Sequence, residues 1–196
     1  MSSTSTVDRT APTAHEILPV LAERWSPRAL DGDRVIDEDS LSAALEAARW
    51  SPSAFNIQPW RFIVGRRGTA TFDTIFGTLA EFNQGWAANA GALVLTIAQV
   101  VDDNGRPNPT ASYDLGQAVA HLSIQAHAGG LVVHQMTGFD AAAAANSFGL
   151  PDSLVPVSVV ALGHLGEADQ LNDQLREREV APRVRRPLAD TIIVSE

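Results

Sequence analysis

Residues 90–101, Ala-Gly-Ala-Leu-Val-Leu-Thr-Ile-Ala-Gln-Val-Val, constrain the fold more than any other stretch of this chain. A β-branched apolar run of this length reads as a strand buried on both faces, so the chain must supply a layer above it and a layer below it. Residues 111–128 read as the longest helix. Leu115, Ala118, Val119, Leu122, Ile124 and Ala126 leave it little polar surface, so it should be central, and Gly129-Gly130 ends it. Around these two elements the pattern predicts helices at 14–23, at 38–50 behind an Asp37 cap, at 69–80, after an Asp140 cap, and at 167–179. Strands are expected at 60–64, 131–135, 153–165 and 191–194. Helices and strands alternate without a strict βαβ repeat, which predicts an α+β layered domain over residues 14–196. Residues 1–13 are rich in Ser, Thr and Ala and read as a disordered tail with no apolar signal segment.

Composition narrows the function. The net charge of −9 argues against non-specific binding to nucleic acid or an anionic membrane. No apolar run is long enough to span a bilayer, and a cytoplasmic location is expected. The chain has no cysteine, which excludes disulfides, thiolate metal sites and cysteine nucleophiles. It has no lysine either, so Schiff-base and P-loop lysine chemistry are excluded, while all 14 basic residues are arginines suited to bidentate phosphate binding.

Two stretches carry polar groups beyond structural need. Residues 51–64, Ser-Pro-Ser-Ala-Phe-Asn-Ile-Gln-Pro-Trp-Arg-Phe-Ile-Val, set two serines, an asparagine and a glutamine against Trp50, Phe55 and Trp60. The loop suits a flat ligand with polar edges, and it equally suits a rigid surface turn. In Arg24-Trp25-Ser26-Pro27-Arg28 two guanidiniums flank a hydroxyl, which fits a phosphate or a solvated charged turn. The five histidines lack metal-ligand spacing and read as surface or satisfied core residues, and no metal site is expected. Asp102-Asp103 and Glu177 with Glu179 read as solvated charge. Hydrolase, Walker and dinucleotide signatures are missing from the sequence. Arginines, small polar residues and aromatics without a nucleophile suit a protein that borrows its chemistry from an organic cofactor.

Five segments in order, Arg24 to Arg28, the loop up to Trp60, Asn83 with Trp86, Gln135 to Asp140, and Arg183 to Leu188, resemble the FMN-dependent nitroreductase family across residues 14–190. The resemblance implies a mostly antiparallel or mixed sheet flanked by helices. It also implies an intertwined homodimer with two FMN molecules at its interface, the C-terminal strand crossing to the partner's sheet. Arg24, Arg183 and Arg185 match positions that grip the FMN phosphate, and Ser26 matches a hydroxyl on the phosphate–ribityl side. Arg28 matches a cation at the flavin N1/O2 edge, where reduction develops negative charge. Pro52, Ser53, Asn56 and Gln58 match a loop that holds the flavin of the partner chain. Asn83 matches a ligand of the pyrimidine edge. Met136, Thr137 and Gly138 match the turn whose backbone reaches flavin N5.

Three departures from the family pattern bear on activity. Trp86 stands where several members carry a second lysine at the N1/O2 edge. Thr137 replaces a common acidic residue, and only residues 102–112 are present where larger members insert a helical roof. The expected activity is hydride transfer from NAD(P)H through FMN to an electron-poor aromatic or quinone-like acceptor, by a ping-pong mechanism. The alternatives are an FMN-binding or storage protein and a flavin-dependent dehydrogenase of the same fold.

Overall fold

The computed structural model of the protein describes residues 9–195. Of the tail expected at 1–13, residues 1–8 lie outside the described residues. The strands β1 (Trp60–Arg66), β2 (Ala92–Gln99), β3 (Val132–Met136) and β4 (Leu154–Gly163) form one sheet in the order β1-β2-β4-β3, and every pairing is antiparallel. The apolar run at 90–101 therefore becomes β2, an inner strand whose first seven residues are all buried.

The period-2 alternation of β2 sorts its side chains between two cores. Ala92, Val94 and Ala98 point to one face with Val160 and Leu162 of β4. They meet Leu41, Ala44 and Ala48 of α2 (Glu38–Arg49) and Leu115, Ala118 and Leu122 of α5 (Ala111–Ala128). Leu93, Leu95 and Ile97 point to the other face with Val159 and Ala161. There they meet Phe72 and Ile75 of α3 (Ala70–Gly77), Trp86 of α4 (Glu81–Ala87), Ala144 of α6 (Ala141–Ser147) and Leu175 of α7 (Asp173–Val180). Each fully buried Leu or Ile contributes about 1.5–3 kcal/mol relative to exposure. Thr96 and Ser158, both buried, bond each other hydroxyl to hydroxyl at 2.8 Å, which lets two polar groups sit inside the sheet.

Local signals set the helix starts. Asp37, Thr69, Asp140 and Asn172 accept backbone N–H groups of Ser40, Phe72, Ala143 and Leu175 at 2.8, 3.3, 2.9 and 2.9 Å. Elsewhere the chain departs from expectation. The helix expected over 14–23 is only α1 (Pro19–Glu23), because Pro19 has no N–H to extend the helix upstream. The polar helix expected over 167–179 divides into a 3-10 turn, Ala168–Gln170, and α7, which Asn172 caps anew. Residues 191–194 form no strand within the chain: Leu188–Thr191 is a 3-10 turn and Ile193 is 98% exposed. A strand needs a partner to pair with, and among the described residues this segment pairs with neither open edge of its own sheet, β1 or β3.

Candidate active site

Six arginines line one cavity of about 190 Å³: Arg9, Arg24, Arg28, Arg178, Arg183 and Arg185, together with Trp25 and Ser26. Among the described residues, no glutamate or aspartate lines it. Burial and then the charge of Arg185 lower the pKa of Arg24. Burial followed by Arg24, Arg185 and Arg9 lowers that of Arg183. Cations crowded this way repel one another, and an anion among them would relieve the repulsion.

The arginines do different work. Arg183 donates through Nη1 to the carbonyls of Arg9 and Ala22 at 2.5 and 2.6 Å, and through Nη2 to that of Arg24 at 2.9 Å. It builds the wall on which Arg24 stands. Arg185 is exposed and, among the described residues, bonds its neighbour's carbonyl, Val184 O, at 2.8 Å and no other group. Arg24 Nη1 reaches Ser26 Oγ at 3.4 Å, joining guanidinium and hydroxyl on one rim.

Arg28 leads from the cavity to a second polar group. Its guanidinium carbon lies 5.8 Å from the centre of the Phe82 ring, and Arg178 lies 5.2 Å from the same ring. The next residue on α4 is Asn83, whose Nδ2 donates to Gly138 O at 2.9 Å. Ala80 N–H donates to the same carbonyl at 3.0 Å. A Cβ at position 138 would come within 2.8 Å of Asn83 Nδ2, so a side chain there would displace the Asn83 amide that bonds Gly138 O. Met136 is buried, whereas Thr137 and Gly138 present exposed backbone beside α4. Trp86 packs on His134 with ring centres 4.6 Å apart, and its buried Nε1–H has no partner among the described residues. The Nδ1–H of His134 donates to Pro27 O at 3.0 Å, so this half-buried histidine ties β3 to the arginine segment.

The loop at 51–59 lies elsewhere. It contains a 3-10 turn, Ala54–Asn56, with φ of 51° at Phe55, 56° at Asn56 and 53° at Gln58. Left-handed backbone at three non-glycine residues is strained, and strain of this kind concentrates at functional sites. The Ser53 hydroxyl accepts Gln58 N–H at 3.0 Å, and buried Asp114, near the start of α5, accepts Ala54 N–H at 3.2 Å. The opposite end of α5 faces α1, where Glu23 and Arg24 act on His127. From Asp114 to His127 the helix rises about 20 Å. Pro52, Ser53, Asn56 and Gln58 therefore do not join the arginine cavity of their own chain.

Three contributors escaped the sequence reading. Glu179 is not solvated charge: it is 3% exposed and accepts backbone N–H groups of Arg28 and Ala29. Arg9 belongs to the segment expected to be a tail, and Arg178 to a polar helix. For both arginines, no local signal separates a cavity residue from a solvated one.

A model of the nitroreductase family matches residues 21–75. A solved oxidoreductase containing FMN is 35% identical with a TM-score of 0.89, over 95% of each chain. An uncharacterized 15.4 kDa protein of Mycolicibacterium smegmatis is 43% identical over 136 residues, 64% of this chain and 88% of that one. The major NAD(P)H-flavin oxidoreductase of Aliivibrio fischeri is 33% identical over 72 residues, 36% of this chain and 33% of that enzyme. The protein belongs to the nitroreductase family.

Proposed function

We propose that this protein is an FMN-dependent NAD(P)H oxidoreductase that works as a homodimer. One observation carries the reading: Arg28 lines the anion cavity and also lies over Phe82, the neighbour of Asn83, which holds the exposed turn at Gly138. Phosphate cavity and polar backbone turn thus form one path, the shape of a phosphorylated flat cofactor.

The residues fit FMN. Among the described residues the cavity offers guanidiniums and a hydroxyl without a competing carboxylate, the donor set that a phosphate dianion takes. Arg24, Arg185 and Ser26 would hold the phosphate, and Arg183 would keep Arg24 in place. Arg28 would set positive charge at the N1/O2 edge, with Asn83 at the pyrimidine edge and the backbone of Thr137 and Gly138 at N5. When bound, FMN supplies hydride chemistry between NAD(P)H and an electron-poor aromatic or quinone-like acceptor, one after the other on a shared face. Pro52, Ser53, Asn56 and Gln58 would cover the cofactor of the partner chain. Their distance from the arginine cavity of their own chain supports this, as do Phe55 and Ile193, each 98% exposed, and Tyr113, 72% exposed. Residues 191–194, which pair with no strand of their own chain, would pair with the partner's sheet.

The visible spectrum of the purified protein, with mass identification of the released chromophore, tests the cofactor. Yellow protein releasing FMN is expected, and colourless protein that takes up no added FMN would refute the reading. Parallel lines in a two-substrate initial-rate plot are expected for the shared face, and intersecting lines would exclude it. Sedimentation should give twice the 20.9 kDa chain mass.

A further inference from the structure

Arg9 stands ahead of α1, yet it closes the arginine cavity. Its guanidinium carbon lies 4.6 Å above the Trp25 ring. Its Nη1 donates to Ala181 O at 2.5 Å, and its buried Nε–H has no acceptor among the described residues. The backbone around it is tied down on both sides. Arg9 O accepts from Arg183 Nη1, and Ala11 N–H donates to Ala22 O at 2.9 Å. Residues 9–11 therefore bridge the cavity from the end of α1 to the segment that carries Ala181 and Arg183.

Packing does not account for this arrangement. A strap that served only to cover apolar surface would have no use for a further cation among Arg24, Arg183 and Arg185. Arg9 also adds to the positive field at Arg183. A buried N–H without an acceptor and surplus positive charge are both remedied by one event, the entry of an anion between strap and cavity floor.

We propose that Arg9 is an additional ligand of the cofactor phosphate and that residues 9–11 form a strap that retains the cofactor. The proposal rests on the flavin reading. It assigns to residues upstream of α1 a role in holding FMN that is separate from the groups around its ring.

Riboflavin, which has the ring and ribityl chain of FMN without its phosphate, isolates the contact. Apoprotein of the full chain is titrated with FMN and with riboflavin by fluorescence, for the wild type and for Arg9→Ala, Arg9→Gln and Arg9→Lys. Arg9→Ala and Arg9→Gln should raise the FMN dissociation constant about tenfold or more, as loss of a charge-assisted hydrogen bond implies, and should speed FMN release. Riboflavin affinity should stay unchanged, and Arg9→Lys should recover part of the loss. Equal weakening toward both flavins would mean that Arg9 only shapes the wall, and unchanged FMN affinity would remove it from the site. Either result overturns the proposal. Arg9→Gln retains a donor for Ala181 O, so it separates loss of charge from loss of the strap. Wild-type protein that binds neither flavin would overturn the flavin reading itself.

Discussion

Glu179 holds Arg28 by the backbone: its two carboxylate oxygens accept the Arg28 N–H at 2.9 and 3.0 Å, and Oε1 also accepts the Ala29 N–H at 3.0 Å. A carboxylate on α7 thus fixes the direction in which Arg28 leaves the chain, 151 residues earlier in sequence. The negative charge also raises the pKa of Arg28 against the lowering by burial, the larger effect, and by Arg178.

Glu179→Ala should therefore act on stability and on the site together. Two N–H groups would lose a charged acceptor, and Ala29 is 1% exposed. The expected destabilisation is about 3 kcal/mol in urea unfolding, with weaker FMN binding by the folded fraction. A loss below about 1 kcal/mol would show that solvent or another group replaces the carboxylate.

Arg183 and Arg185 should separate in mutagenesis although they stand two residues apart. Arg185→Ala removes an exposed side chain, so stability should hold while FMN binding weakens by about 1.5–3 kcal/mol. Arg183→Ala removes three bonds to backbone carbonyls and should lower stability as well, by about 1–3 kcal/mol. Thermal unfolding of the apoproteins beside FMN titration checks both. An unchanged FMN dissociation constant for Arg185→Ala would remove it from the phosphate site.

His134 should make the protein sensitive to acid. Burial first, then the charge of Arg28 with a smaller push from Arg24, lowers its pKa from 6.5 to about 4, against bonds from the Pro27 and Ser26 backbone that raise it. Neutral histidine is thus favoured by folding. Its contribution is complete above pH 6.5, the unfolded value, and disappears as the pH falls toward about 4. The full span is about 3 kcal/mol. His134→Asn can keep a donor for Pro27 O but does not titrate. Its stability should be lower at neutral pH and should fall less between pH 6.5 and 4; an equal slope would assign the acid sensitivity elsewhere.

Phe55→Gly should exchange one property for another. Left-handed backbone costs a β-carbon residue about 1–2 kcal/mol, which glycine avoids in part because its unfolded chain is freer. Stability of the dilute monomer should stay level or rise by about 0.5 kcal/mol. Dimer association should weaken, because the side chain removed is 98% exposed in the single chain. Sedimentation equilibrium across concentration checks this, and an unchanged dimer constant would leave Phe55 without a role at the interface.

Several elements were readable in the sequence because their causes are local. Asp37, Thr69 and Asp140 cap helices within three residues of themselves, and residues 111–128 match α5 at both ends. The burial of β2 follows from an almost wholly apolar run, in which Thr96 is satisfied by Ser158. Arg24 to Arg28, Asn83 and Gly138 are marked in the sequence by a family pattern; in the structure Arg28 lies 5.8 Å from the Phe82 ring and Asn83 bonds Gly138 O at 2.9 Å. Helix 14–23 was overextended because Pro19 permits a helix start and forbids its extension backward.

By itself the sequence determined the layered core, the helix starts at Asp37 and Asp140 and the supply of arginines, since periodicity, capping and composition act over a few residues. Tertiary structure decided which arginine is wall and which is free. It turned Glu179 from a charge on a polar helix into the anchor of Arg28, brought Arg9 across the cavity, and placed the loop at 51–59 at the other end of α5 from the arginine cavity. Each of these outcomes depends on groups far apart in sequence sharing one desolvated space. There a carboxylate is retained only with donors and crowded cations call for an anion, and no short window of sequence contains both partners.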